Sequence, residues 1–458
     1  MNLKDKNNKI PEEFKKLAED FSKNGFITTC PRQADQLVFA NETTLPSEIY
    51  NHENIKELRR KLYNDQWPSG CDTCEDMERD GLRSMRLDFS LIDNWFYKSE
   101  FKEKREGSNR NRFAEQIIVR EPFDNLMSLY NDKTHEVGFK GLRHVEIRFS
   151  NACNFACLHC SKVFSTGWSR KLQNYVPDKE VLEHDLKQLR GTEHRHGPDD
   201  KGEIQLSTEN ALKIIEDLNE NFPNVEFIDF AGGELLYQKQ FFPTLRKLAE
   251  HPNAKNMLIS FHTNFNADFS VEELTEALKP FNETCIIISV DSGRNTYPYF
   301  RHGGNWDKLK QNIRDFKKIN TFTHIDVSIT TSVYQILDLY DVFDSMLELD
   351  CHLDASIVQS PPYINPSILM HKFKEEVIGD FEKTFDMLFD SNSKYIEGER
   401  GAKAWLKYIF DYILKTNIDE KQYNKFLVYR KKSDEIWQQN FNDYFKNYQI
   451  VNNELVRA

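Results

Sequence analysis

Between residues 142 and 358 the chain alternates short apolar strands with amphipathic helices six times, a rhythm that confines it to an α/β fold of parallel strands joined by helical crossovers. In the first strand, expected over residues 142–150, Val145, Ile147 and Phe149 alternate with His144, Glu146 and Arg148. Leu212, Ile215 and Leu218 mark a helix, followed by a strand over 225–230, a helix over 241–250 and a strand over 257–261. Ser270 and Glu273 form a capping-box signature ahead of a helix containing Leu274 and Leu278, after which comes the apolar strand 285–290. Residues 307–319 read as helix, 325–330 as strand, 337–349 as helix and 355–358 as a last strand. Six such units are two short of a closed eight-stranded barrel. The expected fold is a partial (β/α)6, TIM-like barrel with its chemistry at the C-terminal ends of the strands.

Two other regions flank that core. Beyond residue 370 the strand pattern stops, and the segments 373–389, 402–414 and 434–448 carry apolar residues at helical spacing, which predicts a helical C-terminal extension. Upstream of 140 the chain is irregular and turn-rich, with a charged stretch at 104–112. The expected domains are 1–110 (a cysteine-containing module and linker), 140–365 (the core) and 370–458 (the helical extension). A formal charge of −12 without a basic face argues against nucleic acid as a partner. The N-terminal segment lacks an apolar signal core, and the run 285–290 is too short to span a bilayer. The expectation is a cytoplasmic protein without a membrane partner.

Eight cysteines in 458 residues are too sparse for a disulfide scaffold, so their spacing carries the information. Cys285 and Cys351 stand alone and read as small buried hydrophobes. Cys153, Cys157 and Cys160 form a C-x3-C-x2-C loop directly after the first strand. Three thiolates on one loop would leave one iron of a 4Fe-4S cluster open to substrate or cofactor. A zinc site, a plain electron-transfer cluster and unconnected core cysteines are the competing readings, and His159 would be cramped as a simultaneous zinc ligand. Cys71 and Cys74 form a CxxC, and Cys30 precedes Pro31. These three suit an additional cluster, a zinc site or free thiols. The sequence HRHGPDDKG, with His196, reads as a solvated loop.

The Cys153–Cys157–Cys160 loop resembles that of the radical S-adenosylmethionine (SAM) superfamily, and Gly232-Gly233-Glu234 at the end of the second strand resembles its GGE motif. The resemblance implies a 4Fe-4S cluster on the three cysteines, SAM bound at the open iron, and a Glu234 carboxylate that accepts from the SAM ammonium group, the glycines giving the backbone close approach. Ser289 and Arg301 resemble positions beside the SAM carboxylate. Thr263-Asn264 resembles the family's TNG, with Phe265 in place of the glycine. The region of Cys30, Cys71 and Cys74 is similar to the twitch or SPASM modules that hold a second 4Fe-4S cluster, here placed before the core, although the usual tandem cysteines between those elements are absent. Ser165 and Trp168, and the stretch from Phe426 to Phe445, extend the similarity.

What the resemblance implies is reductive cleavage of SAM to a 5′-deoxyadenosyl radical that abstracts hydrogen from a peptide, protein or small-molecule substrate. The electron would come from a flavodoxin- or ferredoxin-like donor. A carbohydrate dehydrogenase or epimerase using the same radical is the rival enzyme, and a non-catalytic electron-transfer or regulatory iron-sulfur protein the rival from another class.

Overall fold

The computed structural model describes residues 45–64, 66–68, 75, 128–160, 164–172, 206–358, 361–389, 396–416 and 420–458. Cys30, Cys71, Cys74, His196 and the charged stretch at 104–112 lie outside the described residues. In chain order the helices and strands are α1 (Pro46–Tyr50), α2 (Glu53–Tyr63), β1 (His144–Arg148), β2 (Ala156–Cys157), α3 (Thr166–Leu172), α4 (Thr208–Asn221), β3 (Phe227–Ala231), α5 (Phe241–Leu248), β4 (Leu258–Thr263) and α6 (Val271–Leu278). There follow β5 (Glu283–Ser289), α7 (Tyr297–Phe300), β6 (Arg301–His302), α8 (Trp306–Ile319), β7 (Thr323–Thr331), α9 (Val333–Leu337), α10 (Leu339–Leu349) and β8 (His352–Ile357). The rest is α11 (Lys374–Phe389), α12 (Ile396–Lys415), α13 (Glu420–Trp437), α14 (Phe441–Tyr444), β9 (Tyr448–Val451) and β10 (Glu454–Arg457).

Six strands form one parallel sheet in the order β1-β3-β4-β5-β7-β8, curled into a half-barrel flanked by helices. This is the α/β partial barrel the alternation predicts. Short local signals start its helices. The side chains of Ser207, Ser270 and Asn305 accept from the backbone N–H groups of Asn210, Glu273 and Lys308, satisfying donors that the first helical turn leaves orphaned.

The two faces of the sheet differ sharply in chemistry. Register pairs Cys285 with His324, Ile287 with Asp326 and Ser289 with Ser328, and sets Asp326 beside His352, so this side is largely polar. Ile286, Ile288, Ile325, Val327 and Ile329 occupy the other side and are buried. On β3, Phe230 stacks edge-on against Phe241 of α5 at 5.6 Å, whereas neighbouring Asp229 faces the opposite way, its pKa raised by burial to about 7. The apolar side thus meets the helices, and each Phe or Ile it buries is worth about 1.5–3 kcal/mol. The polar side lines the concavity. A closed barrel fills its interior with branched apolar side chains, whereas an open one leaves that wall in contact with water.

By packing, the chain divides into two compact units, 1–145 with 207–228 and 246–258, and 146–206 with 229–245 and 259–458. In the first, α1 lies against α4: Ser47 donates from its hydroxyl and its backbone N–H to Asp217 at 2.6 and 2.8 Å. Tyr50, Phe139 and Phe222 form an aromatic cluster beneath that contact.

The second unit contains all the core cysteines, and the structure departs there from the sequence reading in two places. The helix expected over 337–349 is two helices broken at Asp338, where Ser332 and Gln335 cap α9 reciprocally. The third tail segment, expected to be helical, ends α13 at Trp437, turns at Gln438 with φ 54°, and closes in the β9–β10 hairpin. Asn452 and Asn453 make that two-residue turn with φ 52° and 64°, the left-handed conformations a tight hairpin requires. No helix among the described residues is long and apolar enough to cross a membrane.

Candidate functional site

The cysteine loop leaves the end of β1 and is stitched in place from three sides. Thr166 binds both ends of one residue, accepting from Cys153 N at 3.1 Å and donating to Cys153 O at 3.3 Å. Trp168 donates its indole N–H to Cys157 O at 2.9 Å, and Arg170 donates to Cys153 O at 2.9 Å. The loop also forms a two-residue antiparallel ladder with β6, pairing Ala156 with His302 and Cys157 with Arg301. Cys153 and Cys157 are buried and Cys160 half-buried, and none is in a disulfide. Cys285 and Cys351 are buried elsewhere, as small hydrophobes.

The GGE turn sits against the start of this loop. Gly232 and Gly233 have φ of 91° and 56°, and a Cβ on Gly233 would lie 2.3 Å from Ala152 O. Only glycine allows the two backbones to approach so closely. Glu234 N donates to Ala152 O at 2.8 Å, and the Gln238 amide donates to the carbonyls of Gly232, Ser150 and Ala152. Gln238 is a tie the sequence did not reveal, since a glutamine after a turn has no distinctive signature.

Glu234 is buried and turned inward. It accepts from Leu236 N at 3.1 Å, Thr263 Oγ1 at 2.5 Å and Asn264 N at 2.5 Å, binding the end of β3 to the end of β4. A carboxylate offers about four acceptor positions, so roughly one remains for a ligand. Burial raises its pKa, against the three hydrogen bonds, which favour the charged form. Phe265, standing where the resemblance has a glycine, keeps the left-handed turn with φ 52° while fully buried. The backbone shape survives the replacement, at a conformational cost of about 1–2 kcal/mol.

On the other flank Arg301 is buried against the cysteines. Its Nη1 lies 3.1 Å from Asp291 Oδ2 and donates to Ser289 O, its guanidinium sits 5.7 Å from the centre of the Phe155 ring, and its backbone pairs with that of Cys157. Burial opposes its charge, but the Cys157 and Asp291 charges outweigh that and raise its pKa. Burial likewise pushes the Cys153 thiol up to about 12 and raises Cys157, with Arg301 opposing the latter. Asp291 holds the arrangement. It has φ 55°, accepts from Thr330 N at 2.7 Å, and faces His159 Nε2 at 3.6 Å. His159 stacks on Phe300 at 5.2 Å.

Ser289, half-buried, ends β5 on the polar side of the sheet. The structure therefore brings Cys153, Cys157, Cys160, Gly232, Gly233, Glu234 and Arg301 together around one loop. Asp291, two residues after Ser289, braces Arg301, a placement that no local sequence signal gives away.

The donor set suits an iron-sulfur cluster. Three thiols share one loop, a guanidinium lies against Cys157, and the buried Nε of Arg301 has no acceptor, an opening an anionic group would fill.

Residues 147–335 match the family described as Radical SAM superfamily, a class that works with a 4Fe-4S cluster and SAM. Among solved structures the chain is similar to native anSMEcpe with bound AdoMet, at 16% identity over 54% of this chain and 60% of that chain, with a TM-score of 0.33. It is also similar to Streptococcus suis SuiB bound to S-adenosylmethionine, at 13% identity over 71% and 62% of the two chains, TM-score 0.32. A structure of TYW1 with a lysine-pyruvate adduct bound is similar at 16% identity over 56% and 76%, TM-score 0.28. The chain spans about three fifths of the anSMEcpe and SuiB chains it matches.

Proposed function

We propose that Cys153, Cys157 and Cys160 hold a 4Fe-4S cluster that serves reductive cleavage of SAM, with Gly232, Gly233, Glu234, Ser289 and Arg301 around the SAM. The observation that carries this is the stitching of the cysteine loop to the GGE turn through Glu234 N and Ala152 O, beside a buried guanidinium with an unfilled donor. When bound, the cluster supplies one electron to SAM, giving methionine and a 5′-deoxyadenosyl radical that takes a hydrogen atom from the substrate. The chain's own residues orient and enclose. The glycines let the SAM amino acid lie against backbone, Glu234 offers its remaining acceptor position to the ammonium, and Arg301 offers Nε to an anion.

The polar concave wall supports a reading of the substrate class. Asp229, Ser289 and Ser328, all half-buried, present hydrogen-bonding groups, which suit a polar chain such as a peptide or a protein segment better than an apolar molecule. A sugar would be served by the same groups, so the carbohydrate enzyme is the second reading. Cys30, Cys71 and Cys74 are proposed as ligands of an auxiliary cluster.

Anaerobic reconstitution, reduction with dithionite and assay of 5′-deoxyadenosine test the core reading. Wild type should form it and Cys157→Ala should not; equal yields from both would sink the proposal. Iron counts on wild type and Cys71→Ala test the second cluster, with a loss of about four irons expected.

A further inference from the structure

The turn that ends β4 touches the GGE turn, the cysteine loop and the segment that carries Arg301. Asn264, which follows the last residue of β4, is 3% exposed. Its backbone N–H donates to Glu234 Oε2 at 2.5 Å. Its side-chain oxygen accepts from Asn266 N at 2.9 Å, which fixes the orientation of the amide and leaves the NH2 end to donate to Asn154 Oδ1 at 2.7 Å. Asn154 stands inside the cysteine loop, directly after Cys153. Two residues beyond Asn264, the Asn266 side chain accepts from Asn305 N at 3.0 Å and donates to the Tyr297 hydroxyl at 3.4 Å, so it holds both flanks of Arg301.

The distribution of donors on Glu234 gives this placement its meaning. Oε1 already accepts from Leu236 N and Thr263 Oγ1, whereas Oε2 accepts from Asn264 N. Each carboxylate oxygen offers about two acceptor positions, so the position left for an ammonium group is on Oε2, beside Asn264. One residue thus aims that acceptor with its backbone and seats the cysteine loop with its side chain. The turn is anchored from behind. Phe265, with φ 52°, donates from its N–H to Thr263 Oγ1 at 2.9 Å and accepts at its carbonyl from the Asn312 amide of α8 at 2.9 Å. Its buried ring meets Phe316 of α8 edge-on at 5.8 Å. A glycine there would keep the backbone shape and lose the ring contact.

We infer that Asn264 is a positioning residue for SAM, holding the free acceptor of Glu234 and the cysteine loop in one fixed register through its bond to Asn154. The inference rests on the proposed SAM-cleaving function. A ligand that touches both halves of a site binds more tightly when they are aligned beforehand, because less ordering is left to the binding step. One neutral hydrogen bond of this kind sets the expected loss at about three- to tenfold in affinity.

Calorimetric titration of SAM into the anaerobically reconstituted, unreduced full chain tests this, with iron counted on each preparation. Asn264→Ala and Asn154→Ala should each weaken SAM binding about three- to tenfold with iron per chain unchanged. The double variant should bind no more weakly than either single one, since both remove the same bond. Asn154→Asp keeps the acceptor oxygen and should bind SAM as wild type does, whereas Asn154→Leu fills the same space without it and should bind as Asn154→Ala does. Any variant that lacks the bond yet binds like wild type overturns the inference, and so do losses that multiply in the double variant. A fall in affinity matched by a fall in bound iron also overturns it, because the effect then lies on the cluster and not on SAM. A wild type that holds its iron but binds no SAM refutes the underlying function instead.

Discussion

Replacing Gly233 with alanine should loosen the junction on which the cysteine loop depends. The residue has φ 56°, where an alanine costs about 1–2 kcal/mol. Its Cβ would lie 2.3 Å from Ala152 O, 2.8 Å from Gln238 Nε2 and 2.9 Å from Asn151 C, so backbone as well as side chain must give way. Overpacking of that kind adds about 1–3 kcal/mol, for a total near 2–5 kcal/mol. Gly232→Ala makes a sharper comparison than wild type alone. Its nearest contacts would be Ser150 O at 3.2 Å and Arg148 Cβ at 3.4 Å, and with φ 91° it bears backbone strain but little steric overlap. Gly379, inside α11 with nothing within 4 Å of its would-be Cβ, should gain about 0.5–1 kcal/mol on the same substitution. Urea unfolding of the three variants, with iron bound per chain after reconstitution, reads the order. Gly233→Ala should be least stable and retain least iron, and Gly379→Ala should exceed wild type. A Gly233→Ala protein as stable as Gly379→Ala would refute the claim that close backbone approach holds this loop.

Glu234→Ala removes the acceptor of Leu236 N, Thr263 Oγ1 and Asn264 N, and should destabilise by about 3–5 kcal/mol, with Glu234→Gln closer to wild type in the same urea titration. Asp338, buried with Oδ2 unpartnered, has its pKa raised to about 8 by burial and by the Asp341 and Asp380 charges. A carboxyl raised in the folded state favours folding below its ordinary value near 4 and loses that advantage as pH rises to about 8, so Asp338→Asn should gain stability over wild type at pH 8 and not at pH 4, as unfolding midpoints at the two values will tell. Trp168→Phe keeps the ring but deletes the donor to Cys157 O, and should lower stability by about 1 kcal/mol by the same measure.

Much of the scaffold was legible because its signals are local. The six-stranded sheet follows from apolar alternation, and Ser207, Ser270 and Asn305 start their helices through bonds spanning three residues. The β9–β10 hairpin was equally local yet went unread, although Tyr448-Gln-Ile-Val, Asn-Asn, Glu-Leu-Val-Arg is a strand, turn and strand. The periodic apolar residues just before it masked the change from a 3.6- to a 2-residue repeat. The break at Asp338 was hidden for a similar reason: the apolar pattern continues across it, and only the Ser332–Gln335 cap ends α9.

By itself the sequence determined the barrel class, the three-thiol loop after the first strand and the glycines of the GGE turn, because each is set by residues within one or two turns of one another. Only the tertiary structure decided what those residues face. Arg301 comes from far along the chain to lie on Cys157, and Asp291 braces it at 3.1 Å while adopting a left-handed backbone. Glu234 turns inward to three donors across the strand ends. Tyr429 reaches the cysteine loop from 271 residues away. Such contacts depend on how strands and helices pack, and packing energy is shared among many side chains, so no short window of sequence contains it.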